Sequence, residues 1–209
     1  MSTSSLAIGP GTLADRVIPR TLVTDVALVV GGAALTALLA QVSIQLWPVP
    51  VTGQTLAVLL VGATLGMTRG GASLALYAVL GLAGFPVFAP EPDGSHVTGL
   101  TVLAAPSFGY ILGFVASAAV VGWLSERTWD RRFLKALATF IGGSVVVFAF
   151  GLPWLAVSLQ LYLAQTYQFG LEPFIVGGAI KSVIAALLLP AAWWGADKLA
   201  ARRADDERA

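Results

Sequence analysis

Long apolar runs fill most of this chain and are separated by short polar stretches. An α-helix needs about 20 apolar residues to cross the ~30 Å hydrocarbon core of a bilayer. By that criterion the pattern predicts an all-α integral membrane protein whose six transmembrane helices form one bundle. We place these helices at residues 23–46, 53–67, 72–88, 107–124, 133–152 and 173–194.

The composition is typical of a protein that exposes apolar side chains to lipid. Hydrophobic residues make up 57% of the 209 residues and charged residues only 11%, whereas a soluble domain carries about 25% charged residues. The net charge is +1 and the basic residues are spread among loops and chain ends, so we expect membrane lipid, and no nucleic acid, as a partner. With no Cys and a single His, we expect no metal site and no cofactor.

The positions of the charges predict the orientation. If the amino terminus is cytoplasmic, eleven of the twelve basic residues fall in inside segments, and the outside loops hold only the acids Glu91, Asp93 and Glu172. Lys and Arg concentrate on the cytoplasmic side of membrane proteins. We therefore predict that both termini are cytoplasmic. We expect the chain to form one domain over residues 1–209, with short cytoplasmic tails at 1–20 and 201–209. The amino-terminal tail lacks the pattern of a cleaved signal peptide.

Two segments bear on the span count. Residues 154–167 are apolar enough for a seventh crossing, but that crossing would move three basic residues near the carboxyl end to the outside. We interpret this segment as an extension of the fifth helix, kinked at Pro153, or as a helix in the outer interface. The longest outside connection, residues 89–106, contains Pro90 and Pro92 and is predicted to be non-helical, as many functional lids are.

One basic residue, Lys181, lies inside a predicted span. It follows Pro173 by eight positions, which is roughly 12 Å along a helix, and a charged Lys at a membrane centre costs about 2.5–3.5 kcal/mol. The predicted spans offer no acid except Asp25 at the edge of the first. An anionic ligand reached from outside, such as a carboxylate, could therefore be the counter-ion; alternatively, the side chain extends to the outer interface.

The most distinctive string is the turn Trp47-Pro48-Val49-Pro50-Val51-Thr52-Gly53-Gln54-Thr55 between the first two predicted spans. A residue that precedes Pro is disfavoured in the helical region, so we expect an extended chain here, and Thr52 can cap the second helix. Gln54 and Thr55 in the first turn could hydrogen-bond an uncharged polar group of a ligand. Alternatively, Gln54 only satisfies neighbouring backbone groups.

The first predicted helix carries a pair of small residues, Ala33 and Ala37, on one face. Small residues let transmembrane helices approach closely. This face is therefore either a packing seam inside the protein or a docking surface for a partner helix.

Several strings along the chain together resemble a known family. They are Pro48–Thr55, Leu59–Ala63, Leu76–Phe88, Pro106–Tyr110, Gly151–Leu155, Pro173-Phe174 and Lys181. In these strings, over about residues 21–195, the chain resembles the BioY proteins, the biotin-binding S components of energy-coupling factor (ECF) transporters.

The resemblance implies a six-helix vitamin-binding subunit in the cell membrane of a prokaryote, with a pocket that opens outward. Lys181 would pair with the biotin carboxylate. The other implied site residues are Thr52, Gln54, Ser107, Tyr110 and Gly178. Ala33 and Ala37 would meet a transmembrane T subunit, and two ATPase subunits would drive the cycle.

The chain has no phosphate-binding loop of the Gly-x-x-x-x-Gly-Lys-Ser/Thr type. We therefore expect a transport subunit without an ATPase site of its own, and no enzyme. The sequence leaves open whether it works alone, as a homo-oligomer or with an energising module.

Two positions depart from the family pattern. The family has an Asp three positions before its lysine, where this chain has Gly178. Residues three apart share a helix face, so the family Asp would help to neutralise the lysine and accept hydrogen bonds from the ureido N–H groups. Its loss is predicted to weaken or reshape biotin recognition. Phe108 stands where Gly is common and is predicted to narrow the pocket.

Two alternatives to a biotin subunit follow. One is an S component for another small carboxylate-bearing vitamin or a biotin precursor, which Gly178 motivates. The more remote one is an integral membrane enzyme, which would need a Ser–His pair, a metal site or paired acids within the spans.

Overall fold

The computed structural model of the chain describes residues 11–206, and the side chains of residues 11–199. The helices are α1 Leu13–Val17, α2 Leu22–Ala40, α3 Gln54–Leu82, α4 Phe108–Ser125, α5 Phe133–Leu159, α6 Leu163–Gly170 and α7 Glu172–Asp206. Within the described residues, five helices (α2, α3, α4, α5 and α7) are long and apolar enough to cross a membrane. The predicted class, a mostly helical membrane protein, is confirmed.

Helix α3 is a helical hairpin with two arms, residues 54–65 and 67–82. At Gly66 the backbone leaves the helical region, with φ 86° and ψ −179°. The side chain of Gln54 donates a hydrogen bond to the hydroxyl of Tyr77, although 23 residues of straight helix would separate them by about 35 Å. The chain therefore reverses at Gly66. The spans predicted at 53–67 and 72–88 correspond to these two arms, but no loop separates them and the second arm ends at Leu82, six residues before its predicted end.

Close backbone contacts join the central helices. A Cβ atom on Gly62 would lie 2.6 Å from the carbonyl oxygen of Ala118, and one on Gly113 would lie 2.7 Å from that of Val147. Such approach at small residues is how transmembrane helices pack without a hydrophobic driving force. The arms of α3, with α4 and α5, thus form the centre of the bundle, and α2 and α7 pack on its flanks.

The connections at one end of the bundle, which we call the loop end, differ from their predictions. Helix α2 ends at Ala40, six residues before the predicted end of the first span, because strands β1 Ser43–Ile44 and β2 Val51–Thr52 pair there as an antiparallel hairpin with Ser43 opposite Thr52. The predicted non-helical loop at 89–106 contains a bridge between Pro90 and His96 and a 3₁₀ helix, Gly99–Ala104.

The apolar segment at 154–167 begins as an extension of the fifth helix, as predicted, and continues as a separate short helix whose depth in the membrane stays a prediction. Helix α5 runs past Pro153 to Leu159 and stops at Gln160, which has φ 53°. The eight residues of α6 rise only about 12 Å, too little for a seventh crossing. At the carboxyl end, the predicted tail from residue 201 remains helical to Asp206, and residues 207–209 lie outside the described range.

The opposite end, which we call the Gly66 end, is closed by part of the predicted amino-terminal tail. Residues 1–10 are outside the described range, but α1 packs beside the Gly66 reversal. Arg69 bridges Asp15 at 2.8 Å and Asp25 at 2.7 Å. Burial alone would raise the pKa of Asp15, but hydrogen bonds from Arg69, Thr12 and Arg20 hold that pKa below its usual value.

Candidate functional site

A cleft at the loop end encloses about 750 Å³ of empty space, part of it open to solvent. Its walls come from the β hairpin, the 89–106 loop, the start of α3 and the facing sides of α4, α5 and α7. Binding sites for small molecules are typically such apolar concavities with a few polar groups. Four of the predicted site residues line this cleft: Thr52, Gln54, Ser107 and Tyr110.

Three aromatic side chains from different helices form one wall of the cleft. Tyr110 of α4 stacks on Phe174 of α7 with ring centroids 5.9 Å apart and planes 26° apart. Phe148 of α5 meets both rings edge-on, at 6.2 and 6.0 Å. The Tyr110 hydroxyl donates to the carbonyl of Gly170 at 2.8 Å, which fixes the ring. This wall is suited to a flat or compact apolar ligand body.

Polar side chains at the start of α3 form a second wall. The Thr52 hydroxyl donates to Oε1 of Gln54 at 2.7 Å and accepts from the backbone N–H of Gln54 at 3.2 Å. The Gln54 amide also donates to Tyr77. The N-cap of the helix is Gly53, which makes no side-chain cap hydrogen bond, so the prediction that Thr52 caps this helix is wrong. Gln54 is held by side chains, not by the neighbouring backbone groups of the alternative interpretation.

Lys181 lies in a recess beside the cleft. This recess encloses about 330 Å³ of empty space, and it shares lining residues with the cleft, including Thr55, Phe148 and Phe174. The ammonium donates to the hydroxyl of Thr55 at 3.0 Å and to the carbonyl of Thr52. Among the described residues, no carboxylate pairs with Lys181, so neutral oxygens alone hold its charge.

Gly178 lines the same recess as Lys181, three positions earlier on α7. A Cβ atom built on Gly178 would meet no other atom within 4 Å. The recess therefore has room for a side chain at the position where the family resemblance leads us to expect Asp.

Six predicted site residues thus gather at the loop end, and three other positions considered above do not line the cleft or the recess: Ala33, Ala37 and Phe108. Ala33 is buried and Ala37 half-buried against the core, as expected for the internal seam; their partner role stays a prediction. Phe108 stacks edge-on against Trp154 at 5.2 Å and is not among the residues found to line the cleft, so the prediction that it narrows the pocket is wrong.

The sequence analysis did not predict Phe148 or Phe174 as site residues, although Phe174 belongs to one of the strings that resemble the family. Each is one Phe among many apolar residues of a lipid-like run, and only the packing of α5 and α7 turns both towards Tyr110.

His96, which the sequence places in a solvent-exposed loop, has its ring Nδ1 at 2.9 Å from the carbonyl of Phe88 and so ties the 89–106 loop to its own start.

Comparisons with known proteins show what this chain is similar to in fold and in sequence. The crystal structure of the S component for biotin from an ECF-type ABC transporter is similar in fold, with a TM-score of 0.61 and 22% identity, over 81% of this chain and 90% of that one. The biotin transporter BioY of Rhizobium etli is 36% identical over 172 residues, which are 79% of this chain and 89% of the relative.

A second bacterial relative and the family as a whole give the same result. The biotin transporter BioY of Thermotoga maritima is 35% identical over 158 residues, which are 74% of this chain and 87% of the relative. The sequence description of the BioY family matches residues 11–198. The chain therefore belongs to the BioY family.

Proposed function

We propose that this protein is the biotin-binding S component of a vitamin uptake transporter, an integral protein of a prokaryotic cell membrane. The observation that carries the proposal is the position of Lys181. A cation without a carboxylate partner among the described residues opens onto a mostly apolar cleft at one end of a transmembrane bundle. Biotin has the matching parts, since it joins a compact ring system to a carboxylate through an alkyl chain.

In the proposed complex the carboxylate of biotin takes the place of the Thr52 and Thr55 oxygens around the Lys181 ammonium. The ring system occupies the larger cleft beside Tyr110 and Phe174. The side chains of Thr52 and Gln54 form the polar wall of the cleft, where they can exchange hydrogen bonds with an uncharged polar group of the ligand. Ser107 and Gly178 complete the proposed contact set.

The proposed topology has six crossings with both termini in the cytoplasm. The two arms of α3 count as separate crossings because the chain reverses at Gly66, and the other four long helices supply the rest. The eleven basic residues outside Lys181 then lie on the inner side, as the positive-inside rule requires. The loop end with its cleft faces outward, where it can capture the vitamin.

The proposed partners are a transmembrane T subunit and two ATPase subunits. The chain has no phosphate-binding loop in its 209 residues, so ATP hydrolysis would be supplied by these partners. Purification of the chain together with these partners would also show whether copies of the chain associate with one another.

Equilibrium binding of biotin and of its neutral amide, biotinamide, to the purified protein tests the proposal. We expect biotin to bind wild type about 10- to 100-fold more tightly than biotinamide, because a hydrogen bond to a charged group contributes about 1.5–3 kcal/mol. Lys181→Ala should remove this preference, and Lys198→Ala, a lysine of the same helix at the opposite end, should keep it. Equal affinity of wild type for the two ligands would refute the carboxylate–lysine pairing.

A second candidate is an S component for another small carboxylate-bearing vitamin or a biotin precursor. The open space at Gly178 favours it, because the acceptor that the family uses beside its lysine is absent there. Competition of dethiobiotin and of lipoate against labelled biotin separates this candidate function from biotin uptake. A competitor that binds more tightly than biotin would replace biotin as the assigned substrate.

A further inference from the structure

Exposed tryptophans and cations are concentrated at the Gly66 end of α5 and α7. The turn between α4 and α5 carries Trp129 and Arg131, which flank the buried Asp130. Asp130 accepts a hydrogen bond from the indole N–H of Trp193 on α7, and this bond holds the turn against the last part of α7. We call the exposed residues around this joint the indole–cation patch: Trp129, Arg131, Arg132, Lys135, Trp194 and Lys198.

Cations in this patch lie over indole rings. The Arg131 guanidinium is 4.1 Å from the ring centroid of Trp193, and the Lys198 ammonium is 3.7 Å from that of Trp194. The Lys135 ammonium is 5.7 Å from the ring of Trp129. A cation over an indole is attracted by the ring but stays accessible to an anion on its outer side.

The patch has excess positive charge. Arg131, Arg132, Lys135 and Lys198 appear in none of the ion pairs found among the described residues. The carboxylate inside the patch, Asp130, is fully buried and turned towards Trp193, so it cannot reach an approaching ligand from the surface. An external anion is therefore the complement that the patch favours.

Exposed apolar side chains continue from the patch along the bundle. Leu134 on α5 is 77% exposed, and Leu187 and Leu188 on α7 are 59% and 49% exposed. Indole rings prefer the depth of lipid headgroups, and basic pockets between transmembrane helices on the cytoplasmic side bind anionic headgroups. An occupant with a phosphate at one end and alkyl chains at the other matches both parts of this surface.

We infer that the indole–cation patch binds the phosphate headgroup of an anionic phospholipid, whose acyl chains lie along the exposed faces of α5 and α7. The lipid sits at the end of the bundle opposite the vitamin cleft. It would hold the α4–α5 turn and the end of α7 at a fixed depth in the membrane.

Native mass spectrometry of the full-length protein with added phosphatidylglycerol tests this inference, with phosphatidylcholine of the same acyl chains as the comparison lipid. Each basic residue near an anionic membrane contributes about 1 kcal/mol, or about fivefold in affinity. Arg132→Gln with Lys135→Gln should therefore weaken phosphatidylglycerol binding roughly 30-fold. The matched control is Arg20→Gln with Arg127→Gln, which removes two cations at the same end that lie outside the patch, one paired with Asp15 and one over the ring of Trp123, and it should change binding little.

Three results would overturn the inference. Equal loss in both double variants would mean that the lipid responds only to total charge. Equal binding of the two lipids by wild type would mean that the headgroup charge is not recognised. If inorganic phosphate displaces phosphatidylglycerol at equal concentration, the patch is a simple anion site without a role for the acyl chains.

Vitamin binding in the same samples separates this inference from the proposed function. The patch variants should bind biotin as wild type does, because the patch and the cleft lie at opposite ends of the bundle. If they keep lipid binding but lose association with an energising module, the surface is a protein-docking site and the lipid assignment fails.

Discussion

At the residue scale, Lys181 is stabilised by groups that a ligand can replace. Its partners are the Thr55 hydroxyl and the Thr52 carbonyl, which are neutral and belong to the segment that starts α3. A carboxylate that enters the recess exchanges these dipoles for a full negative charge. The lysine therefore favours acids without presenting an unsolvated charge when the cleft is empty.

The open recess at Gly178 leads to a gain-of-affinity prediction. Gly178→Asp places an acceptor on the face of α7 that carries Lys181, where the added side chain has room. We expect the affinity for biotin to rise about tenfold relative to that for lipoate, since biotin alone has ureido N–H donors for a charged acceptor. Isothermal titration with both ligands measures the ratio, and Gly178→Asn, which supplies a neutral acceptor, should give a smaller gain.

A fall in biotin affinity with Gly178→Asp would contradict this prediction. It would mean that the new carboxylate competes with the ligand for Lys181 and that the ureido group lies elsewhere.

Asp130 leads to a pH-dependent prediction. Burial raises the pKa of Asp130, the Trp193 hydrogen bond opposes that rise, and its other carboxylate oxygen has no partner among the described residues. The folded state binds the proton more tightly than the unfolded state, so the free energy of unfolding falls as pH rises from the unfolded pKa through the folded one.

We expect Asp130→Asn to raise the melting temperature at pH 7–8 by a few degrees, because it removes a buried charge and keeps an acceptor for Trp193. Thermal unfolding in detergent between pH 4 and 8 measures the effect, and the difference from wild type should shrink at low pH. Glu172→Gln, at an exposed acid, is the control. A variant that is less stable than wild type at pH 8 would show that Asp130 is satisfied as a carboxylate.

Sequence reasoning identified the polar residues of the site more readily than its apolar ones. Lys181 is conspicuous because charge is costly in a membrane, and Thr52 and Gln54 because they stand beside two prolines. Phe148 and Phe174 contact the cleft only through the relative rotation of α5 and α7, and nothing in a uniformly apolar run reports that rotation.

At the scale of elements, the hydropathy pattern located the long helices but not how they end. Apolar length predicts a span because backbone groups in lipid must be satisfied within the helix. The ends depend on local geometry that apolar content does not encode. The β hairpin after Ala40 ends the first span early, and the Gly66 reversal replaces the expected loop between the second and third spans.

The reversal at Gly66 predicts a site of high sensitivity to substitution. Its φ of 86° and ψ of −179° lie in a region that is essentially restricted to glycine, and a Cβ atom would lie 2.5 Å from a carboxylate oxygen of Glu126. We expect Gly66→Ala to lower the free energy of unfolding by about 2–4 kcal/mol, measured by thermal unfolding in detergent.

Gly142→Ala is the matched control for Gly66→Ala. A Cβ atom at Gly142 meets nothing within 4 Å, so the change should be neutral or slightly stabilising, since alanine favours a helix more than glycine does. Equal stability of the two variants would mean that the chain can reverse in another way.

At the scale of the whole molecule, the orientation can be tested directly because the chain has no Cys. Ser95→Cys in the 89–106 loop should react in intact cells with a maleimide that cannot cross the membrane. Arg132→Cys at the Gly66 end should react only after the cells are opened. Gel-shift labelling measures both, and the reverse pattern would contradict the six-crossing topology with cytoplasmic termini.

The ion pair between Arg16 and Asp197 has a consequence for the order of assembly. Its members are 181 positions apart in the chain and are exposed, so the pair adds little to equilibrium stability. A ribosome delivers Arg16 near the beginning of synthesis and Asp197 near the end. Whereas Asp15 can meet Arg69 once the first helices are inserted, α1 can join α7 only when translation is almost complete. This contact is thus a late event in biogenesis, and chains that stall before α7 are left without it.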